Sequence, residues 1–399
     1  MNIKMIKSAT LLLFSLFAMS TASSQTYTAQ RLNNGEPIIT KDMFLDLGAS
    51  NKEGRNINGA TMVRLPDWLP PAKRVHPEAA YYLYFGHHGG RYIRMAWSSS
   101  PTGPFTLYQV GDGVPVGDRG VLDMGAEDVL PAEANPTYRV KGHISSPEVL
   151  VDDVNQRFVL FFHGIGRGGI GTFAQYTMPA LSPDGLEFEV LASSPGSSYF
   201  RVFHAHGQAY AFGNGCTLFR APEGALGYED RAIIAPEDFP LYQRHYWDEL
   251  EEFRQKMEGP WSKKLKIGPP KEPEDVGKGL DYEIRHCGIL PMEENRFQLF
   301  YTVKKNPEDP PERIFMSHLD ATDPDWRNWT MSPAEEILRT EKVWEGADLP
   351  IEPSRKGGGT NKHELRDPYP FRDEDGTLYL YYSGRGETAI GVARLTPQL

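Results

Sequence analysis

Apolar and polar positions along the chain fall into short hairpins that recur. Residues 81–85 run apolar into a glycine-rich loop; residues 92–97 return and end in a turn of small residues. Residues 157–162 run into a second glycine-rich loop at 164–169 and return through 173–177, ending in Ser182-Pro-Asp-Gly-Leu-Glu-Phe188. Residues 209–212 turn at Asn214-Gly215 and return through 216–220. Residues 297–303 cross a proline-rich loop and return through 313–318, and residues 377–382 turn through 384–387 and return at 389–395. Each hairpin follows another short apolar strand, such as 146–151 or 199–203.

A hairpin alone cannot bury both of its faces, so repeated hairpins must stack, and radial stacking makes a propeller. Five repeats predict an all-β, five-bladed β-propeller, with a β-sandwich as the competing architecture. Residues 38–47 are expected to supply the outer strand that closes the ring. The pattern breaks between 231 and 282: residues 247–257 read as a charged helix and 263–278 as a Pro/Lys/Glu-rich loop. This is a partly helical insertion between blades three and four, either a surface decoration or a lid. Residues 1–24, with two early lysines, a short apolar run and small residues at the end, read as a signal peptide. The expected product is one exported domain over 25–399, periplasmic or secreted, with no membrane insertion.

Composition agrees. Among 399 residues, 39 Gly, 32 Pro and 12% aromatics favour many short strands over long helices. A net charge of −11 argues against nucleic acid, which rewards a basic surface, and makes any local cluster of positive residues more informative. Cys216 and Cys287 are either a disulfide after export or two small buried residues.

The stretch Leu365-Arg-Asp-Pro-Tyr-Pro-Phe-Arg-Asp-Glu-Asp-Gly-Thr-Leu-Tyr-Leu-Tyr-Tyr-Ser383 and the turn Trp97-Ser-Ser-Ser-Pro-Thr-Gly-Pro-Phe105 resemble the five-bladed propellers of glycoside hydrolase families 43 and 32. A closer likeness rests on the hairpin from Tyr84 to Arg94, which carries His87-His88, and on the strand Ile144-Ser-Ser-Pro-Glu-Val149. These resemble exported propellers of polysaccharide-degrading marine bacteria, a group that includes dehydratases acting on ulvan oligosaccharides. The family 43 pattern implies an Asp base on the first blade, a modulating Asp on the second and a Glu acid further on. Here the first blade reads Asn58-Gly-Ala-Thr-Met-Val63 with no carboxylate, the second offers Glu148, and Asp367 alone has an acid in a matching Arg-Asp-Pro context.

Propeller geometry sorts the candidate residues. The start of each innermost strand and the loop joining strands two and three lie on one face of the disc, around the central channel. That face is expected to gather His87, His88 and Arg91; Glu148, His143, His163 and Arg167; Arg201; Arg285, His286 and Lys304; and Arg366, Asp367, Tyr369 and Arg385. His204 and His206 fall on the opposite face. His88, His143, His286, Asp367 and Glu148 are the catalytic candidates, and His87, Arg91, His163, Arg167, Arg201, Arg285, Arg366 and Tyr369 the substrate-binding ones. Tyr199, Tyr301 and Tyr369 are further proton donors to consider. Because adjacent strand residues face opposite ways, one of His87 and His88 is expected to reach the site, and His286 rather than Arg285.

Arginine forks match carboxylate or sulfate, and histidine supplies an acid or base near neutral pH. The cluster therefore predicts an anionic oligosaccharide as partner, with β-elimination at a non-reducing-end uronic acid, by a dehydratase or lyase, as the first reading. An exo-acting hydrolase of the family 43 type and a non-catalytic sugar-binding propeller are the alternatives. No tight metal-ligand spacing appears; a structural calcium or zinc would be consistent with the fold.

Overall fold

In the computed structural model the chain is described over residues 26–125, 140–167, 173–191, 196–213, 218–220, 283–304, 310–354 and 359–398. The expected signal peptide, the insertion and Cys216 lie outside these residues. Five antiparallel sheets succeed one another along the chain, and they are the five blades of a propeller. The first blade runs outward through Asn58–Arg64, Tyr81–Gly86, Tyr92–Ser98 and Thr106–Tyr108. The second runs through Val140–Asp152, Arg157–Arg167, Phe173–Ser182 and Glu189–Val190, and the third through Arg201–Ala205, Gln208–Phe212 and Leu218–Arg220. The fourth comprises Glu283–Pro291, Arg296–Lys304, Ile314–Asp320 and Thr330–Met331. The fifth comprises Arg366–Arg372, Leu378–Gly384 and Ala389–Pro397, with Tyr27–Arg31 on its outer edge. Among the described residues no helix is long and apolar enough to cross a membrane.

The core is divided among the seams between blades. Tyr81, Leu83 and Phe85 pack against Tyr379, Tyr381 and Ile390 of the fifth blade. Their strand neighbours Tyr82 and Tyr84 point the other way, against Phe158, Leu160 and Phe162 of the second. Val159 and Phe161 meet Phe200, Ala211 and Phe219 at the next seam. Phe203 and Tyr210 meet Phe297, Leu299 and Tyr301, and Phe300 and Met316 meet Leu380 and Tyr382. Middle strands are thus buried on both faces, which is why they read as continuous apolar runs rather than as strict alternation.

The ring closes differently from the expectation. The closing strand is Tyr27–Arg31, paired in register from Tyr27↔Pro397 to Arg31↔Ala393. Within 38–47, Ile39 makes a single bridge to Ile390, and Lys41–Leu45 is a short helix with Phe44 buried. The physical reason is packing: Phe44 has an edge-on partner in Phe85, 6.3 Å away, so the segment serves as a plug over the seam of blades five and one. Tyr27 is anchored by its hydroxyl on Gln298, 2.8 Å away, and Arg31 by a fork on Glu345.

Candidate functional site

The inner strands converge at their N-terminal ends: that of the first blade lies against those of the second and fifth, and that of the fourth against those of the third and fifth. Four of them are bulged there, between Asn58 and Thr61, Ser145 and Glu148, Ile284 and Cys287, and Arg366 and Tyr369. Gly59, Ser146 and Asp367 occupy left-handed backbone at these bulges, and Tyr199 does so just before the third inner strand, with φ between 50° and 67°. A bulge re-aims a side chain that the regular pleat would bury between blades.

One residue from each blade thereby joins a girdle around the channel. The Gly59 amide donates to Asp367 Oδ2 at 3.2 Å. Asp367 Oδ1 is in direct contact with His286 Nδ1, the His286 ring lies 4.1 Å from the Tyr199 ring, and Tyr199 is hydrogen-bonded to the Ser146 side chain. Ser146 closes the circle against Gly59, where an added β-carbon would sit 3.3 Å from Ser146 Cα. Only glycine combines that approach with φ 65° at little cost.

Beneath the girdle lies a floor. Arg201 pairs with Glu148 at 3.0 Å, donates to Cys287 O and Pro147 O, and stands over the Tyr369 ring. Thr61 also donates to Pro147 O, at 2.7 Å. Arg201, read from sequence as a ligand-binding arginine, thus spends its fork on three blades of the protein itself. Arg285 and Arg366 are spent likewise. Arg285 donates to Glu312 at 2.8 Å. Arg366 bridges Glu364 and Glu387, the latter at 2.7 Å, and approaches Glu312. Both arginines point away from the girdle that their neighbours His286 and Asp367 join.

Toward the mouth, the rings of His88, His143, His163 and Tyr199 follow one another at centroid separations of 5.5, 5.1 and 4.6 Å. The Gly89 amide donates to His143 Nδ1 at 2.9 Å, so the proton of neutral His143 sits on Nε2. That proton faces His163 Nε2, 3.1 Å away. His88 and Tyr199 are the half-buried members; His143 and His163 are buried. His87 is turned inward onto Arg94, 3.1 Å from it. Arg91 is half-buried and donates to Gly125 O. Lys304 is buried, Arg385 pairs with Asp348 at 2.6 Å, and Tyr301 bonds Ser317 inside its blade. The Arg167 side chain lies outside the described residues. His206 bonds Ala321 O at the far end of its strand, as its placement on the other face requires.

Burial sets the protonation states. It lowers His143 to about 4, with His88 adding to the effect. It lowers His87 to about 3, helped by the Arg94 charge, and holds His163 well below its ordinary value. His286 is lowered by burial, although Asp367 opposes this. Burial also raises Glu148 to about 7, outweighing Arg201. Asp367 goes the other way: burial would raise it, but His286, Arg366 and Arg285 together hold it well below the carboxylate range. Tyr199 is raised by burial and by the charges of Glu387 and Asp367, so it stays a phenol.

Neither the girdle nor the row of histidines beside it fits a divalent metal. His143 presents an N–H, not a lone pair, toward His163, and Asp367 already accepts from Gly59 and Ser383 while touching His286. Among the described residues no group of three or more His, Cys, Asp or Glu is arranged to hold a metal ion. From the sequence, Tyr199 is named only as a candidate proton donor, and Asn56, Glu312, Glu364 and Glu387 are overlooked. Tyr199 carries a weak signal, a tyrosine two residues before a strand arginine; Glu364, two residues before Arg366, carries one of the same kind, and Glu312 and Glu387 carry none.

The fold and girdle define a five-bladed propeller built around a converging site at one end of its channel. Three solved structures share this fold. A glycosyl hydrolase from Bacteroides ovatus superposes with TM-score 0.54 at 12% identity, covering 92% of this chain and 93% of its own. A putative glycosidase from Bacteroides thetaiotaomicron gives 0.52 at 13% identity, with 92% and 96% covered. A putative glycoside hydrolase from Parabacteroides distasonis gives 0.52 at 12% identity with the same coverage. At these identities the likeness is one of fold. In sequence, the chain is 27% identical over 348 residues to uncharacterized protein R118 of Acanthamoeba polyphaga mimivirus, covering 85% of this chain and 83% of that protein. No protein-family model matches the chain.

Proposed function

We propose that the protein is a polysaccharide-degrading enzyme that hydrolyses a glycosidic bond in the channel, using two carboxyl groups as its acid–base pair. The observation that carries this reading is the opposite displacement of Glu148 and Asp367. Glu148, raised to about 7, retains a proton to give near neutral pH. Asp367, held ionised beside His286, is a base. Environments that push two carboxyls apart in this way assign acid and base. In the reaction, the Asp367–His286 pair takes a proton from water as its oxygen bonds to the anomeric carbon. Glu148 protonates the leaving oxygen as the old C–O bond breaks. The three fold neighbours, a glycosyl hydrolase, a putative glycosidase and a putative glycoside hydrolase, support the same class of reaction. Export of the chain would place it where polysaccharide fragments are found.

A second reading is β-elimination on a uronic acid. It is favoured by Tyr199, a half-buried phenol between the imidazoles of His163 and His286, and by a first inner strand, Asn58-Gly-Ala-Thr-Met-Val63, that carries no carboxylate. There His286 would remove the C5 proton, its electron pair would form the C4–C5 double bond, and the Tyr199 proton would leave with the C4 oxygen. Mass spectrometry of products from neutral and uronic oligosaccharides separates the two readings. Hydrolysis adds one water per bond broken and creates no ultraviolet chromophore. Glu148→Gln and Asp367→Asn are expected to lower kcat about 100-fold or more, while Tyr199→Phe is tolerated. An unsaturated product that depends on Tyr199 would reject the hydrolytic reading in favour of elimination.

A further inference from the structure

We infer that Glu387 is a positioning residue: it ties the first-blade loop that carries His88 to the arginine preceding Asp367 on the fifth blade. The inference rests on the reading above in taking the channel end where the inner strands converge as the active site. Glu387 is buried, on the loop that follows the middle strand of the fifth blade. Its two oxygens face different blades. Oε1 accepts from Arg366 Nη1 at 2.7 Å. Oε2 accepts from Asn56 Nδ2 at 2.7 Å and from Asn58 Nδ2 at 3.0 Å. Asn56 in turn accepts the His88 backbone amide on Oδ1 at 2.7 Å, and the Glu387 carbonyl accepts the Ile57 amide at 2.7 Å. The His88 ring reaches within 3.9 Å of the carboxylate.

Asn56 is therefore held at both ends of its amide, with the carboxylate on one side and the loop on the other. Asn58, the third partner, immediately precedes the girdle glycine, so Glu387 also fixes the strand whose amide donates to Asp367. An ionised carboxylate suits this task because it accepts on both oxygens. An amide in its place must turn an N–H2 toward either Arg366 or the asparagines, setting donor against donor.

The test compares Glu387→Gln with Asp152→Asn in the full-length protein. Asp152 is another buried carboxylate, bonded to Asn155 and Arg157 at the far end of its strand from the channel bulge. Amide hydrogen exchange is expected to quicken ~10-fold or more at Ile57 and His88 in Glu387→Gln and to stay near the parent rate there in Asp152→Asn. On an oligosaccharide that the parent turns over, kcat should fall in Glu387→Gln with little change in KM. Unchanged exchange at His88 overturns the inference, as does acceleration spread equally over all five blades, or local loosening with kcat intact. Failure of the parent protein to turn over any glycan counts instead against the enzymatic reading, and the exchange measurement still decides whether Glu387 holds the loop.

Discussion

Buried imidazoles around the mouth are kept neutral, and this links stability to pH. The unfolded chain takes up protons on His87 and His143 near pH 6.5, whereas the folded chain does so only toward about 3 and about 4. Their contribution is complete above 6.5 and is lost as the pH falls toward the folded values. At pH 5 each should have forfeited about 2 kcal/mol. Urea unfolding at pH 7.5 and pH 5 should show the loss, and His87→Gln should make it shallower. Glu148 acts with the opposite sign, because its folded pKa of about 7 lies above the ordinary 4.5, so its contribution is lost as the pH rises through 7. Arg201→Lys tests the floor of the channel. Lysine keeps the charge but cannot serve Glu148, Pro147 O and Cys287 O together, and a loss of about 3 kcal/mol is expected by urea unfolding. An unchanged midpoint would mean that the arginine is not needed for structure.

At the scale of elements, two devices shape the molecule. The bulges at the inner-strand starts convert a period-two strand into one that delivers a residue to the axis, so that Ser146, His286 and Asp367 meet rather than disappear between blades. The second device is closure by Tyr27–Arg31, which covers the outer edge of the last strand. Arg31 contributes beyond its strand: it forks onto the fully buried Glu345, which also accepts the Tyr382 hydroxyl and two loop amides. Arg31→Met is expected to cost about 3 kcal/mol in urea unfolding, because it removes the cation from a buried carboxylate. A cost below about 1 kcal/mol would show that the strand holds without it.

For the whole molecule, the net charge of −11 made a gathering of arginines suggest an anionic ligand. The structure buries Arg201, Arg285 and Arg366 and pairs each with a buried glutamate. Selectivity for charged sugars is therefore not expected from these three. Calorimetry with a neutral xylo-oligosaccharide and a uronic one of equal length should give dissociation constants within about tenfold, or about 1.4 kcal/mol. A gap of a hundredfold or more would point to charge recognition by groups nearer the mouth, such as His88 and Arg91, and would favour elimination over hydrolysis.

The sequence by itself determined the five hairpins, their order and the faces on which their residues lie. Strand periodicity and turn chemistry are local, and stacking follows once a hairpin has two apolar faces. It also placed His88, His143, Glu148, His163, His286 and Asp367 near one channel, because strand starts and the second loops of every blade share a face. What only the tertiary structure decided is which partner each charged group takes. Glu312 and Glu387 lie 27 and 21 residues from the arginines they claim, and even Glu364, two residues before Arg366, takes its place only because the fold buries the pair. The closing strand was decided in the same way: residues 38–47 have apolar side chains enough for a strand, but Phe44 finds a pocket beside Phe85, and Tyr27–Arg31 takes the free edge instead. Pairing across seams is a contest among distant groups for desolvated positions, and its outcome depends on distances that no local pattern encodes.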